Sequence, residues 1–209
     1  MCVICVSKKG VRQPYKYEMK NMFDRNPDGA GFMTASKGRV EFHKGYMSFD
    51  EFWDDVCFRK FTSDDVVIYH FRISTQGGVN REMCHPFPLY GTLEDMKILD
   101  GYCKIGVTHN GIIPMTTDRR DHEYSDTARF VADYMPQIIR GCADLRDDGV
   151  LRLLEGCIQS KMAILDEFGY VATVGNFIEE ESGLLFSNSS YLGSKHFYTS
   201  TSKKYIAHV

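Results

Sequence analysis

The chain opens "MCVIC" (residues 1–5), which starts a strand and places a thiol one peptide bond from the terminal residue. Residues 2–6 alternate and favour β-structure, so they read as a strand. In a strand, side chains three positions apart point to opposite faces. Cys2 and Cys5 therefore cannot easily share one metal ion or one disulfide, and Val3-Ile4 is a poor turn for a zinc knuckle. The chain has no second Cys-x-x-Cys, and Cys84-His85 are adjacent rather than spaced for chelation. No metal and no cofactor is expected. Two readings of Cys2 stay open: a small buried residue, as most free cysteines are, or a nucleophile that becomes the first residue once Met1 is removed. In the second reading its own α-amine, with an ordinary pKa of about 7.7–8.0, serves as general base without a histidine partner.

Composition narrows the class. The 209 residues are enough for one large domain with a real core, and no shift in composition divides them, so a single domain over 1–209 is expected. Lys and Arg total 25 against 28 Asp and Glu, a net charge of −3 with the signs interspersed. That balance points to neither a nucleic-acid nor an anionic-membrane partner. The apolar runs are strand-length and the N-terminus lacks a basic region followed by an apolar one, which fits a soluble, cytoplasmic protein. Seven cysteines at irregular spacing fit reduced thiols rather than a disulfide framework.

Periodicity supplies the elements. Residues 31–35 and 40–46 read as a hairpin turning at Lys37-Gly38-Arg39, and Tyr17 to Phe23 as a helix ended by "RNPDGAG" (25–31). Ser48 and Glu51 form a capping box ahead of Phe49, Phe52, Trp53 and Val56 at helical spacing. "VVIYHFR" (66–72) reads as a buried strand, with further strands near 96–100 and 104–109 and a hairpin turn at Asn110-Gly111. Ser125 or Asp126 caps a helix carrying Phe130, Val131 and Tyr134 that Pro136 ends or kinks, and a shorter helix fits 148–158. "KMAILD" and "YVATV" flank Glu167-Phe168-Gly169 as a hairpin, and "GLLFSN" (183–188) adds a strand. Strands dominate and helices do not alternate with them one for one, which predicts an α+β fold of antiparallel sheets covered by helices.

Three polar loops follow strands: "YHFRISTQGGVNREMCHPF" (69–87), "THNGII" (108–113) and "EYSDTARF" (123–130). Singly, each has an ordinary account. Arg72 can be a strand-end charge, Asn110-Gly111 a plain turn, Asp126 a helix cap and His85 a loop histidine. In order after Cys2, however, stand "RNPDGAG", His70-Phe71-Arg72-Ile73-Ser74-Thr75-Gln76-Gly77, His85-Pro86, His109-Asn110-Gly111 and Ser125-Asp126-Thr127. This succession resembles the class II glutamine amidotransferase domain, a branch of the N-terminal-nucleophile hydrolases, over most of the chain. The chain departs from that pattern with Val3 where glycine usually follows the cysteine, and with Asn26 where glycine is usual in the first loop. Asparagine tolerates the left-handed backbone that glycine would supply.

The resemblance implies a four-layer αββα sandwich and a set of roles. Cys2 is the nucleophile, while the Asn110 side-chain amide and the Gly111 N–H form the oxyanion hole. Arg72 clamps the α-carboxylate of L-glutamine through two charge-assisted hydrogen bonds, and Asp126 holds its α-ammonium. Thr75, Gln76 and His85 line or brace the pocket, His85 more as a brace than as an acid or base. The implied reaction hydrolyses the glutamine side-chain amide through a γ-glutamyl thioester, with ammonia passing to a separate synthase subunit or released by a free-standing glutaminase. Two other functions stay open on the same residues: hydrolysis of another linear amide, and a catalytically silent domain that binds glutamine or a protein partner.

Overall fold

The computed structural model describes residues 2–75, 78–116 and 123–193, together with the backbone of 205–206. Strands run in the order β1 (Val3–Ser7), β2 (Ala30–Ser36), β3 (Arg39–Tyr46), β4 (Val67–Phe71), β5 (Phe87–Pro88), β6 (Asp100–Cys103) and β7 (Ile105–Asn110). They continue as β8 (Lys161–Asp166), β9 (Val171–Val174), β10 (Phe177–Glu179), β11 (Leu185–Phe186) and β12 (Tyr205–Ile206). The helices are α1 (Lys16–Arg25), α2 (Phe49–Arg59), α3 (Asp126–Arg129), α4 (Met135–Ile138) and α5 (Asp148–Ile158).

Every residue of β1 is buried, and its alternation explains how. Val3 and Cys5 pack with Met19, Phe23 and Phe52 of α1 and α2, whereas Ile4 and Val6 pack with Ala163 and Leu165 of β8. A strand buried on both faces belongs in the middle of a layered structure. β1 pairs antiparallel with β4 on one side and β11 on the other, inside an eight-stranded sheet ordered β12-β10-β11-β1-β4-β2-β3-β6. A second sheet, β5-β7-β8-β9, packs against its inner face. The outer face of that second sheet is covered by Ala128, Phe130, Met135, Leu154 and Ile158 of the later helical segments. The result is an α+β sandwich of two antiparallel sheets flanked by helices. Among the described residues, no helix is long and apolar enough to cross a membrane.

Most local expectations hold, with a few exceptions that have physical causes. β2 and β3 form the predicted hairpin, and Lys37 and Gly38 have φ of 54° and 72°, the pair of positive angles a type I′ turn requires. Ser48 caps α2 by accepting the Glu51 N–H at 3.2 Å, but the Glu51 carboxylate turns to Arg81 at 3.4 Å, so half of the capping box forms. The strand expected near 96–100 lies later, as β6, because Glu94–Lys97 forms a 3₁₀ turn. Ser125, not Asp126, is the helix cap, accepting the Ala128 N–H at 3.1 Å. The helix then widens into a π-helical turn over Phe130–Tyr134, in which the Met135 N–H reaches the Phe130 carbonyl. In a regular α-helix the ring of Pro136 would press on the Ala132 carbonyl. The wider turn lets the helix continue past the proline.

The Asn110-Gly111 hairpin does not form. β7 pairs with β5 and β8, and the chain leaves β7 through Gly111 towards a short 3₁₀ turn at Pro114–Thr116. Only Gly111 has positive φ, 152°, while Asn110 stays in the strand opposite Lys161, so the paired positive angles of a type I′ turn are missing.

The α1–α2 face is an aromatic lattice. Phe52 is fully buried and meets the rings of Phe32, Tyr46, Phe49, Tyr69 and Phe71. Phe52→Ala is expected to cost about 3–5 kcal/mol, read as a lower urea midpoint with unchanged m-value.

Candidate active site

Cys2 lies immediately before β1, on the side that faces the second sheet, and opens into a cavity of about 360 Å³. Its walls come from both sheets: Ile73 and Thr75 after β4, Asn110, Gly111 and Ile112 at the end of β7, Gln159 to Lys161 entering β8, and Ser187 and Asn188 after β11. A roomier surface groove, about 760 Å³ over Tyr15, Lys20 and Phe49, has no thiol or aliphatic hydroxyl in its lining.

The thiol is held by backbone. The Ile73 N–H donates to Cys2 Sγ at 3.4 Å, and the Asn188 side-chain amide donates to the Cys2 carbonyl at 2.6 Å. Burial pushes the thiol pKa above its ordinary value, with the Ile73 N–H and the Arg72 charge only partly opposing it. Cys2 therefore rests as a neutral thiol near pH 7 and needs a base to act.

Behind the thiol, the turn-rich "RNPDGAG" segment braces the loop after β4. The Arg72 N–H donates to Gly29 O at 2.7 Å, the Asp28 N–H to Arg72 O at 3.0 Å, and the Ser74 N–H to Asp28 Oδ2 at 2.7 Å. The loop passes close to the Cys84 thiol, since a Cβ on Gly29 would fall 2.3 Å from Cys84 Sγ. Arg72 itself is buried and donates to Ser74 Oγ at 3.1 Å. Lys44 stitches down the following loop by donating to Glu82 O at 2.7 Å and Met96 O at 2.5 Å. Burial pulls its pKa down to about 7.

On the opposite wall, His109 fixes the end of β7. The Ser160 hydroxyl donates to Ile158 O at 2.9 Å, so it is the His109 Nε2–H that donates to Ser160 Oγ at 2.6 Å. His109 Nδ1 then accepts from the Thr127 hydroxyl at 2.8 Å. The His109 carbonyl accepts from His70 Nε2 at 3.0 Å, and the His85 ring stacks on His70 with centroids 4.1 Å apart. Burial holds His70 and His109 at about 3 and His85 well below the usual imidazole range, so all three are neutral. Gly111 has no room for a side chain, because a Cβ there would lie 2.4 Å from Ser160 Cβ.

The structure thus brings Cys2, Thr75, Asn110 and Gly111 to one cavity, and leaves three expected substrate contacts out of its walls. His85 is a buried packing group between His70 and Phe87. Arg72 is turned into the loop it stabilises. Asp126 accepts the Ile113 N–H at 2.6 Å and the Thr127 N–H at 2.8 Å, tying the segment after Gly111 to α3, and burial raises its pKa. Gln76 lies outside the described residues. Ser187, Asn188, Ser160 and Lys161 join the site without having been expected there. "GLLFSN" carries only a strand signal, and its two polar residues gain meaning once β11 is laid beside β1.

No protein-family model matches the chain, and no curated protein sequence matches it.

A histidine that is neutral when folded lets the unfolded chain take up protons first, so its stabilisation holds above about pH 6.5 and is lost as pH falls toward the folded value. With three such histidines, the urea midpoint should drop steeply from pH 7 to pH 5.5, and His109→Gln should flatten that slope. Asp126, whose pKa is raised, works in the opposite direction but only nearer the ordinary carboxylate range. Gly111→Ala should lower the melting temperature, because its Cβ would meet Ser160 Cβ at 2.4 Å on a backbone of positive φ, and should slow the reaction of Cys2 with an active-site-directed electrophile more than Phe52→Ala does.

Proposed function

We propose that this chain is a thiol amidase of the N-terminal-nucleophile kind, a class II glutaminase that splits the side-chain amide of L-glutamine. The observation that carries the reading is the meeting of the Cys2 thiol with Asn110 and Gly111, from opposite sheets, in one cavity. The ordered motifs of the sequence and the antiparallel αββα sandwich support it.

The neutral thiol defines what the mechanism has to provide. With Met1 removed, the α-amine of Cys2 takes the thiol proton as Sγ attacks the amide carbon, and the carbonyl oxygen becomes an oxyanion facing Asn110 and Gly111. The amine then passes the proton to the leaving nitrogen, the C–N bond breaks, and ammonia departs from a γ-glutamyl thioester. Water, deprotonated by the same amine, attacks the thioester, releases glutamate and restores the thiol. No histidine is needed, consistent with the three neutral and buried imidazoles. Ammonia passes to a separate synthase in this proposal, and the chemistry asks for no metal or cofactor.

A second reading, hydrolysis of another linear amide, draws on one observation: Arg72 and Asp126, the groups assigned to the two charged ends of glutamine, are engaged by the protein and do not line the cavity. Intact mass and substrate turnover test both readings. A chain starting at Cys2 should release glutamate and ammonia from glutamine. Cys2→Ala should abolish this, and Asn110→Ala should lower kcat about 100- to 1,000-fold. Turnover of other amides but not glutamine would select the second reading. Glutamine turnover undiminished in Cys2→Ala would refute both.

A further inference from the structure

Ser187 sits where the two sheets touch beside the thiol. Its backbone N–H donates to Ile4 O at 2.9 Å, and its Oγ accepts the Ile4 N–H at 2.8 Å, so the residue is locked to the nucleophile strand. Across the gap, Ser187 Oγ lies 2.9 Å from the Nδ2 end of Asn110, and Lys161 Nζ donates to the Ser187 carbonyl at 2.5 Å. Ser187 is fully buried and Asn110 is nearly so.

The donors and acceptors at this junction do not match with the amide placed that way. Ser187 Oγ would accept twice, and its single hydroxyl proton would have no acceptor among the described residues. Meanwhile Asn110 Oδ1 is buried without a hydrogen-bond partner among the described residues. The two ends of a carboxamide have the same shape, and hydrogen bonding decides which way it lies. Turning the amide over resolves the first mismatch, since the Ser187 hydroxyl then donates to Oδ1, and it turns the second from an unpaired acceptor into an unpaired NH₂ donor, a group that an oxyanion can satisfy.

We infer that Ser187 is a positioning residue that sets the polarity of the Asn110 amide, presenting its NH₂ as a donor to the oxyanion formed at Cys2. The inference rests on the amidase reading and assigns the part of the site that fixes its donor. Ile4 anchors the serine to the same strand that carries the thiol, so nucleophile and donor share one frame. A residue at 187 without a hydroxyl would leave the amide free to adopt either orientation.

Kinetics and a proton-resolving structure test this together. Ser187→Ala should lower kcat for amide hydrolysis about 10- to 100-fold with KM within about twofold, because the donor acts on charge that develops in the transition state. In the Asn110→Ala background the same change should cost less than about twofold, since effects routed through one group do not add. Neutron diffraction of the wild-type crystal should show deuterium on the Asn110 amide end facing away from Ser187. Density for ND₂ directed at Ser187, or a Ser187→Ala loss that multiplies fully with that of Asn110→Ala, would overturn the inference. A wild type inert towards amides would refute the amidase reading, and the neutron map would still decide the amide's orientation.

Discussion

The burial of β1 on both faces is the constraint on which the site depends. Five consecutive buried residues, paired by β4 and β11, fix the strand in depth, register and rotation. Alternation then leaves no choice for the residue before it: with Cys5 committed to the helix-side core, Cys2 points to the gap between the sheets. Slipping the register by one residue would exchange the two faces and bury the thiol under α1 and α2. The hydrophobic core on each side, roughly 25 cal/mol per Å² of apolar surface removed from water, is thus what aims the sulfur.

Around that fixed point the polar groups form a frame more than a reaction apparatus. His109 joins Thr127 of α3 to Ser160 at the entrance to β8, Asp126 ties the segment after Gly111 to the same helix, and Asp28 holds the loop after β4. Each bond joins specific partners, and breaking it is costly where the surviving group stays buried and unpaired. The pocket wall can carry glycine at 111 and a β-strand end at 110 because this frame prevents either from relaxing.

How far the sequence discloses this depends on the range of the interaction. The opposite facing of Cys2 and Cys5, the hairpin turning at Lys37-Gly38-Arg39 and the helix 148–158 are matters of local period and turn chemistry, and all are legible in it. Asn110-Gly111 reads wrongly as a hairpin because the same dipeptide suits a tight turn and a strand end whose glycine must clear Ser160. The ordered motifs pick out residues that are physically important, but Arg72 and Asp126, expected to contact substrate, lie outside the cavity wall and brace it, as His85 does. Ser187 and Asn188 are not legible as site residues, since their significance comes from lying beside Ile4 and Cys2, far away in the chain.

The central claim is that one residue supplies both sulfur and base. Peptide mass spectrometry of the N-terminus, after acid quench during steady turnover of glutamine, measures it most directly. The expected first peptide begins at Cys2 and carries a γ-glutamyl group on the thiol. An actively turning-over protein whose first peptide begins at Met1, or whose Cys2 remains unmodified while the acyl group sits elsewhere, would contradict it.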